Sequence, residues 1–177
     1  MNLPNILTLI RVLLTPIFVI LIINKYFEWA LLTFAIAGIT DGLDGLIARL
    51  TGQRTELGAY LDPIADKLLA FAAFISLAII EMIPSWLVVI VITRDIIILV
   101  GFLVMFLTNY HPKINPSFLS KMTTTFQIIT ILFALLAGLF PVFKQPSILT
   151  FYVTGIITIL SGIQYVYIGT RILNEKK

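Results

Sequence analysis

The chain has 177 residues, of which 59% are hydrophobic and 12% charged, with a formal net charge of +3, one histidine and no cysteine. With a mean hydropathy of +1.06, that balance excludes an ordinary water-soluble globular domain and points to an integral membrane protein. The missing cysteine rules out thiol nucleophiles, disulfides and thiolate metal sites, and the dispersed basic residues argue against nucleic acid and suit anionic lipid headgroups.

Apolar stretches recur at 6–23, 27–40, 68–83, 85–108, 118–140 and 147–170. At about 20 residues per span, they predict an all-α integral membrane protein with six transmembrane helices in a single domain, 1–177. The second stretch reaches that length only if its helix continues through about Ile47. The opening MNLPNILTLIRVLLTPIF mixes Asn2, Asn5 and Thr8 with apolar residues and is expected to begin as a short interfacial helix. Pro16 is a candidate kink within the first span. NKYFEW and EMIPSW place aromatic and charged residues where an outer interface belongs. TNYHPKINPSFLSK reads as a loop, with His111 not a ligand and Lys121 opening the fifth helix. No Ala-x-Ala-type cleavage pattern precedes the first charged loop, so the first segment reads as a retained helix.

Lysine and arginine are held on the cytoplasmic side of short loops. With both termini cytoplasmic, Arg11, Arg49, Arg54, Lys67, Lys113, Lys121, Arg171, Lys176 and Lys177 fall inside, Lys25 and Lys144 outside, and Arg94 within a span. The expected location is therefore an inner or cytoplasmic membrane, crossed several times, with the polar site facing the cytoplasm.

That site is TDGLDGLIARLTGQRTELGAYLDPIADK, residues 40–67. A spacing of three puts Asp41 and Asp44 on one helical face, and a spacing of four does the same for Asp62 and Asp66. Four carboxylates in proximity repel unless cations intervene, and Mg²⁺ takes oxygen ligands of this kind. A pair of Mg²⁺ ions, with Mn²⁺ as the alternative, would offset the repulsion and clamp a diphosphate. Gly45 and Ala48, with Gly58 further on, remove bulk beside the acids, either for close helix packing or for substrate. Arg49 is a candidate phosphate or nucleotide contact, or else an inner-face anchor, which is also the reading for Lys67. Asp95 and Glu56 are left as partners for Arg94 or Arg54.

The string Asp41-Gly-Leu-Asp44-Gly45-Leu-Ile-Ala48-Arg49, then Gly58, Asp62 and Asp66, resembles the complete signature of the CDP-alcohol phosphatidyltransferases. The resemblance implies a membrane enzyme that transfers a phosphatidyl group from CDP-diacylglycerol to an alcohol and releases CMP. It implies Asp41, Asp44, Asp62 and Asp66 as metal ligands, Asp66 as the catalytic base, and Gly45, Ala48, Arg49 and Gly58 as the nucleotide site. The opening LPNILTLIRVLLTP is similar to the phosphatidylglycerophosphate synthase and cardiolipin synthase branches. The first branch implies Arg94 and Lys121 as acceptor contacts; glycerol 3-phosphate is the nominal acceptor and phosphatidylglycerol the alternative. Thr123 stands where the first branch has a second lysine, and TRDIII and NPSFLSKMTTTFQ look closer to the second branch. A homodimer is left open. An intramembrane prenyltransferase or an ion-coupled transporter is the competing class; the former lacks the Gly45-x-x-Ala48-Arg49 spacing, and the latter would carry acids through more of its spans.

Overall fold

The computed structural model describes the backbone at residues 3–51, 56–107 and 117–174, and the side chains at 8–41, 67–101 and 117–170. Among them the chain is helical throughout: α1 (Leu3–Ile23), α2 (Phe27–Thr51), α3 (Glu56–Ile79), α4 (Ser85–Leu107), α5 (Phe118–Leu139) and α6 (Lys144–Asn174), with a 3-10 turn at Pro141–Phe143.

The short second apolar stretch is completed as expected, because α2 runs on through the first half of the aspartate motif to Thr51. The N-terminal segment differs from expectation: residues 3–23 form one continuous helix through Pro16, with no separate interfacial element among the described residues. Pro16 leaves the Val12 carbonyl without its helical donor, and the adjacent Thr15 hydroxyl donates to the Arg11 carbonyl at 3.0 Å.

Two left-handed turns reverse the chain. The Tyr26 N–H donates to the Leu21 carbonyl and the Lys25 N–H to that of Ile22, both at 2.9 Å, with Lys25 at φ 61°. The same pair of bonds recurs from Met82 to Leu77 and from Glu81 to Ala78, with Glu81 at φ 62°. This Schellman geometry satisfies the last carbonyls of a helix. It ends α3 at Ile79, short of the apolar run, and folds Ile83 back into the core. At α5 the Ser117 hydroxyl accepts from the Ser120 N–H at 3.1 Å, so that helix opens at Phe118, ahead of Lys121.

In the bundle α1 packs against both α2 and α3, and α6 against both α4 and α5, while α2 and α3 meet α5 to close the core. Phe18, Ile22, Phe34, Phe74, Leu77, Leu87, Val91, Ile131 and Leu135 fill it. Phe18 and Phe34 lie 5.7 Å apart between ring centroids. The outward faces are apolar too, with Leu13, Ile20, Ile39, Val89, Ile156 and Ile163 exposed. Buried hydroxyls link helices: Thr130 and Thr154 join α5 to α6 at 2.7 Å. Apolar surface outside and polar joints between helices suit lipid as the surroundings. Among the described residues Phe118–Leu139 and Pro141–Thr170 are long and apolar enough to cross a membrane, and Thr8–Ile23 and Lys67–Ile79 are shorter apolar stretches.

Gly138 in α5 shows how tightly the helices meet. A Cβ there would stand 2.8 Å from the Phe27 ring. Gly138→Ala is therefore expected to destabilise the bundle by about 1–3 kcal/mol, the usual cost of overpacking. The thermal unfolding midpoint in detergent checks this, and an unchanged midpoint would show that Phe27 yields freely.

Candidate active site

The signature positions lie on two consecutive helices. Asp41, Asp44, Gly45, Ala48 and Arg49 are in α2, and Gly58, Asp62 and Asp66 are in α3. The helical spacing assumed from sequence is thus present in the backbone. The side chains of Asp44, Ala48, Arg49, Asp62 and Asp66, with the surroundings of Gly45 and Gly58, lie outside the described residues, as do those of Glu56 and His111.

Asp41 is described, and it is not alone. Its Oδ1 accepts from Arg11 Nη1 at 2.8 Å; the arginine side chain is 1% exposed and the aspartate 47%. Sequence reasoning assigned Arg11 only to the inner face. It also has a partner: Arg11 rises from α1, the helix that touches both signature helices, and holds the first carboxylate from beneath. A buried guanidinium in an apolar bundle requires an anion, and Asp41 provides one. A carboxylate carries two oxygens and about four lone-pair positions, so Oδ2 retains acceptor capacity on the exposed side. That donor chemistry fits a hard divalent cation. Among the described residues no three acidic or histidine side chains converge, and the remaining ligands expected from sequence are among those not described.

A second charged group lies further along α3 and α4. Asp95, 1% exposed, accepts from Lys67 Nζ on Oδ2 at 2.5 Å and from Arg94 Nη1 on Oδ1 at 2.7 Å. Arg94 is 4% exposed. Its Nη2 donates to the hydroxyls of Ser120 at 2.7 Å and Ser161 at 2.9 Å, and its Nε to Ser161 at 3.2 Å. The guanidinium carbon also sits 5.6 Å from the Tyr165 ring centroid, within cation–π range. One carboxylate and one guanidinium therefore tie α3, α4, α5 and α6 together. The methylenes of Arg94 lie against Gly162, where a Cβ would be 3.7 Å from Cγ. There they help line an apolar groove of about 660 Å³ between α4 and α6, with Thr158, Ile159 and Val166 on the other wall.

The two acceptor candidates are not brought together. Arg94 turns into the bundle, whereas Lys121, one residue beyond Ser120, is exposed. Thr123 is fully buried, and its hydroxyl donates to the Leu119 carbonyl of its own helix at 2.9 Å. Pairing of Arg94 with Asp95, the structural alternative that adjacent opposite charges suggest, is present. Lys67 was harder to read, because a lysine just ahead of the apolar stretch 68–83 ordinarily serves as an interfacial anchor, whereas it lies midway along α3.

A family model for CDP-alcohol phosphatidyltransferases matches residues 1–164. The chain belongs to the CDP-alcohol phosphatidyltransferase family. Relatives include a probable CMP-forming cardiolipin synthase of Drosophila melanogaster, 35% identical over 94% of this chain and 57% of its own length. The CMP-forming cardiolipin synthase of Homo sapiens is 34% identical over 96% of this chain and 62% of its own. A CDP-diacylglycerol–glycerol-3-phosphate 3-phosphatidyltransferase of Bacillus subtilis is 35% identical, covering 93% of both. This phosphatidyltransferase-family chain thus spans about three fifths of those cardiolipin synthases and nearly all of the bacterial enzyme.

Proposed function

We propose that this chain transfers a phosphatidyl group from CDP-diacylglycerol to a glycerol-type alcohol and releases CMP. The supporting observation is Asp41, the first signature carboxylate, half exposed over a buried arginine that fixes one of its oxygens. In this reading the six helices are six spans of an inner or cytoplasmic membrane, with both termini and the site on the cytoplasmic side.

Asp41, Asp44, Asp62 and Asp66 would hold two Mg²⁺ ions, or Mn²⁺ in their place. Bound there, the cations neutralise the diphosphate and the CMP leaving group. The chain's own residues do the rest. Gly45, Ala48 and Gly58 leave room for the cytidine diphosphate, Arg49 contacts it, and Asp66 takes the proton from the acceptor hydroxyl as that oxygen attacks phosphorus. The O–P bond to the acceptor forms as the P–O bond to CMP breaks, in line. A substrate chiral at phosphorus would report inversion; retention would instead require a covalent intermediate.

Glycerol 3-phosphate is the nominal acceptor. The state of Thr123 favours the second reading, phosphatidylglycerol. A phosphate dianion calls for several donors, and the Thr123 hydroxyl is buried and committed to its own helix. The decisive experiment uses purified protein with CDP-diacylglycerol and Mg²⁺, offers each acceptor separately, and follows CMP and the lipid product. CMP with one acceptor is expected; no CMP with either, under Mg²⁺ or Mn²⁺, sinks the reading.

A further inference from the structure

We propose that Lys67 contacts the phosphate of the acceptor, and that Asp95, backed by Arg94, is the positioning residue that aims it. The proposal rests on the phosphatidyltransferase reading and adds two residues to it. Exposure falls steeply along the network: the Lys67 side chain is 31% exposed, Arg94 4% and Asp95 1%. An incoming anion therefore meets the Lys67 ammonium before the guanidinium behind it.

A lysine acting only as an anchor extends its amine toward water. Lys67 does the reverse and draws its amine in to a buried carboxylate. An ammonium has three N–H donors, and among the described residues Asp95 alone accepts from this one. Two donors remain on its partly exposed side. Asp95 is in turn held, because Arg94 grips Oδ1 while anchored on Ser120 and Ser161. Tying the ammonium to Asp95 restricts much of the lysine's rotamer freedom before ligand arrives.

Charge points the same way. Lys67 and Arg94 contribute two positive charges and Asp95 one negative, so the network carries a net +1 beside an apolar core. A phosphate group is the complement. The acceptor is favoured over the donor diphosphate because Lys67 is tied toward α4, α5 and α6, whereas Asp41 is tied to α1. Lys67 also directly follows Asp66 in α3, one helical step from the proposed base.

Steady-state kinetics on the purified full chain, varying each substrate in turn, test this. Lys67→Gln removes a charge-assisted hydrogen bond and is expected to raise the acceptor KM about tenfold to a hundredfold. The CDP-diacylglycerol KM should stay within about twofold, a change of under roughly 0.5 kcal/mol. Lys67→Arg should recover part of the loss, and Asp95→Asn should reproduce the acceptor-selective defect. An unchanged acceptor KM in Lys67→Gln, or an equal rise for both substrates, overturns the assignment. An Asp95→Asn protein that loses thermal stability but keeps wild-type KM values makes Asp95 structural and overturns its positioning role. If Asp95→Asn does not fold, the partly exposed Lys67 variants carry the test. Failure of the wild-type chain to form CMP with any acceptor would strike the underlying reaction, not this assignment.

Discussion

Asp66→Asn is expected to lower kcat by about 10²–10⁴-fold, the usual contribution of a positioned general base, while CDP-diacylglycerol still binds. Asparagine keeps the shape and one oxygen but cannot take the proton from the acceptor hydroxyl. Nucleotide affinity should largely survive, since Asp41, Asp44 and Asp62 would remain to hold the cations and Arg11 still fixes Asp41 from below. Single-turnover CMP release gives the rate, and titration with CDP-diacylglycerol gives the affinity. If both fall in parallel, Asp66 is mainly a metal ligand and the base lies elsewhere. The position suits the role: Asp66 precedes Lys67, whose amine is fixed on Asp95. The proposed base and the proposed acceptor contact thus share one turn of α3.

Helix periodicity and length placed all six helices, because apolar runs of membrane-spanning length leave few alternatives. They also required α2 to continue into the aspartate motif, which it does. What they missed was set by single residues. The end of α3 was misplaced because Ile80, Met82 and Ile83 are as apolar as the helix before them; only the left-handed turn at Glu81, a conformation sequence rarely signals without glycine, separates them. The expected interfacial helix did not separate from α1, because Pro16 interrupts one hydrogen bond without ending the helix.

Charges were legible in kind and less so in partner. Arg94 stood out as a cation inside an apolar stretch, and Asp95 beside it was its natural counter-ion. Nothing local announced that Lys67, 28 positions earlier, shares that carboxylate, or that Arg11 reaches Asp41 across two helices. The first pairing depends on how α3 and α4 are placed against one another, the second on how α1 and α2 are. The family signature did not depend on that placement, since its residues are fixed by spacing along two consecutive helices.

Arg94→Ala is the second large effect, and the expected loss is first one of stability. Removing one partner of a buried ion pair costs about 3–5 kcal/mol, because the other charge stays buried and under-compensated. Here Asp95 would keep only Lys67, the hydroxyls of Ser120 and Ser161 would lose their donor, and Tyr165 its cation. The junction of α4, α5 and α6 would loosen together. Arg94→Lys should recover little of this, since one ammonium cannot reproduce a planar fork that engages three groups at once. Sequence alone, reading Arg94 as an acceptor contact, predicts a different outcome: a raised acceptor KM in a fully stable protein. Thermal or denaturant unfolding in detergent, set beside the two KM values, separates them. A stable Arg94→Ala protein with only an acceptor defect would show that the guanidinium serves the substrate directly. A destabilised protein with both defects would follow from the clasp, because Lys67 is aimed only as long as Arg94 holds Asp95.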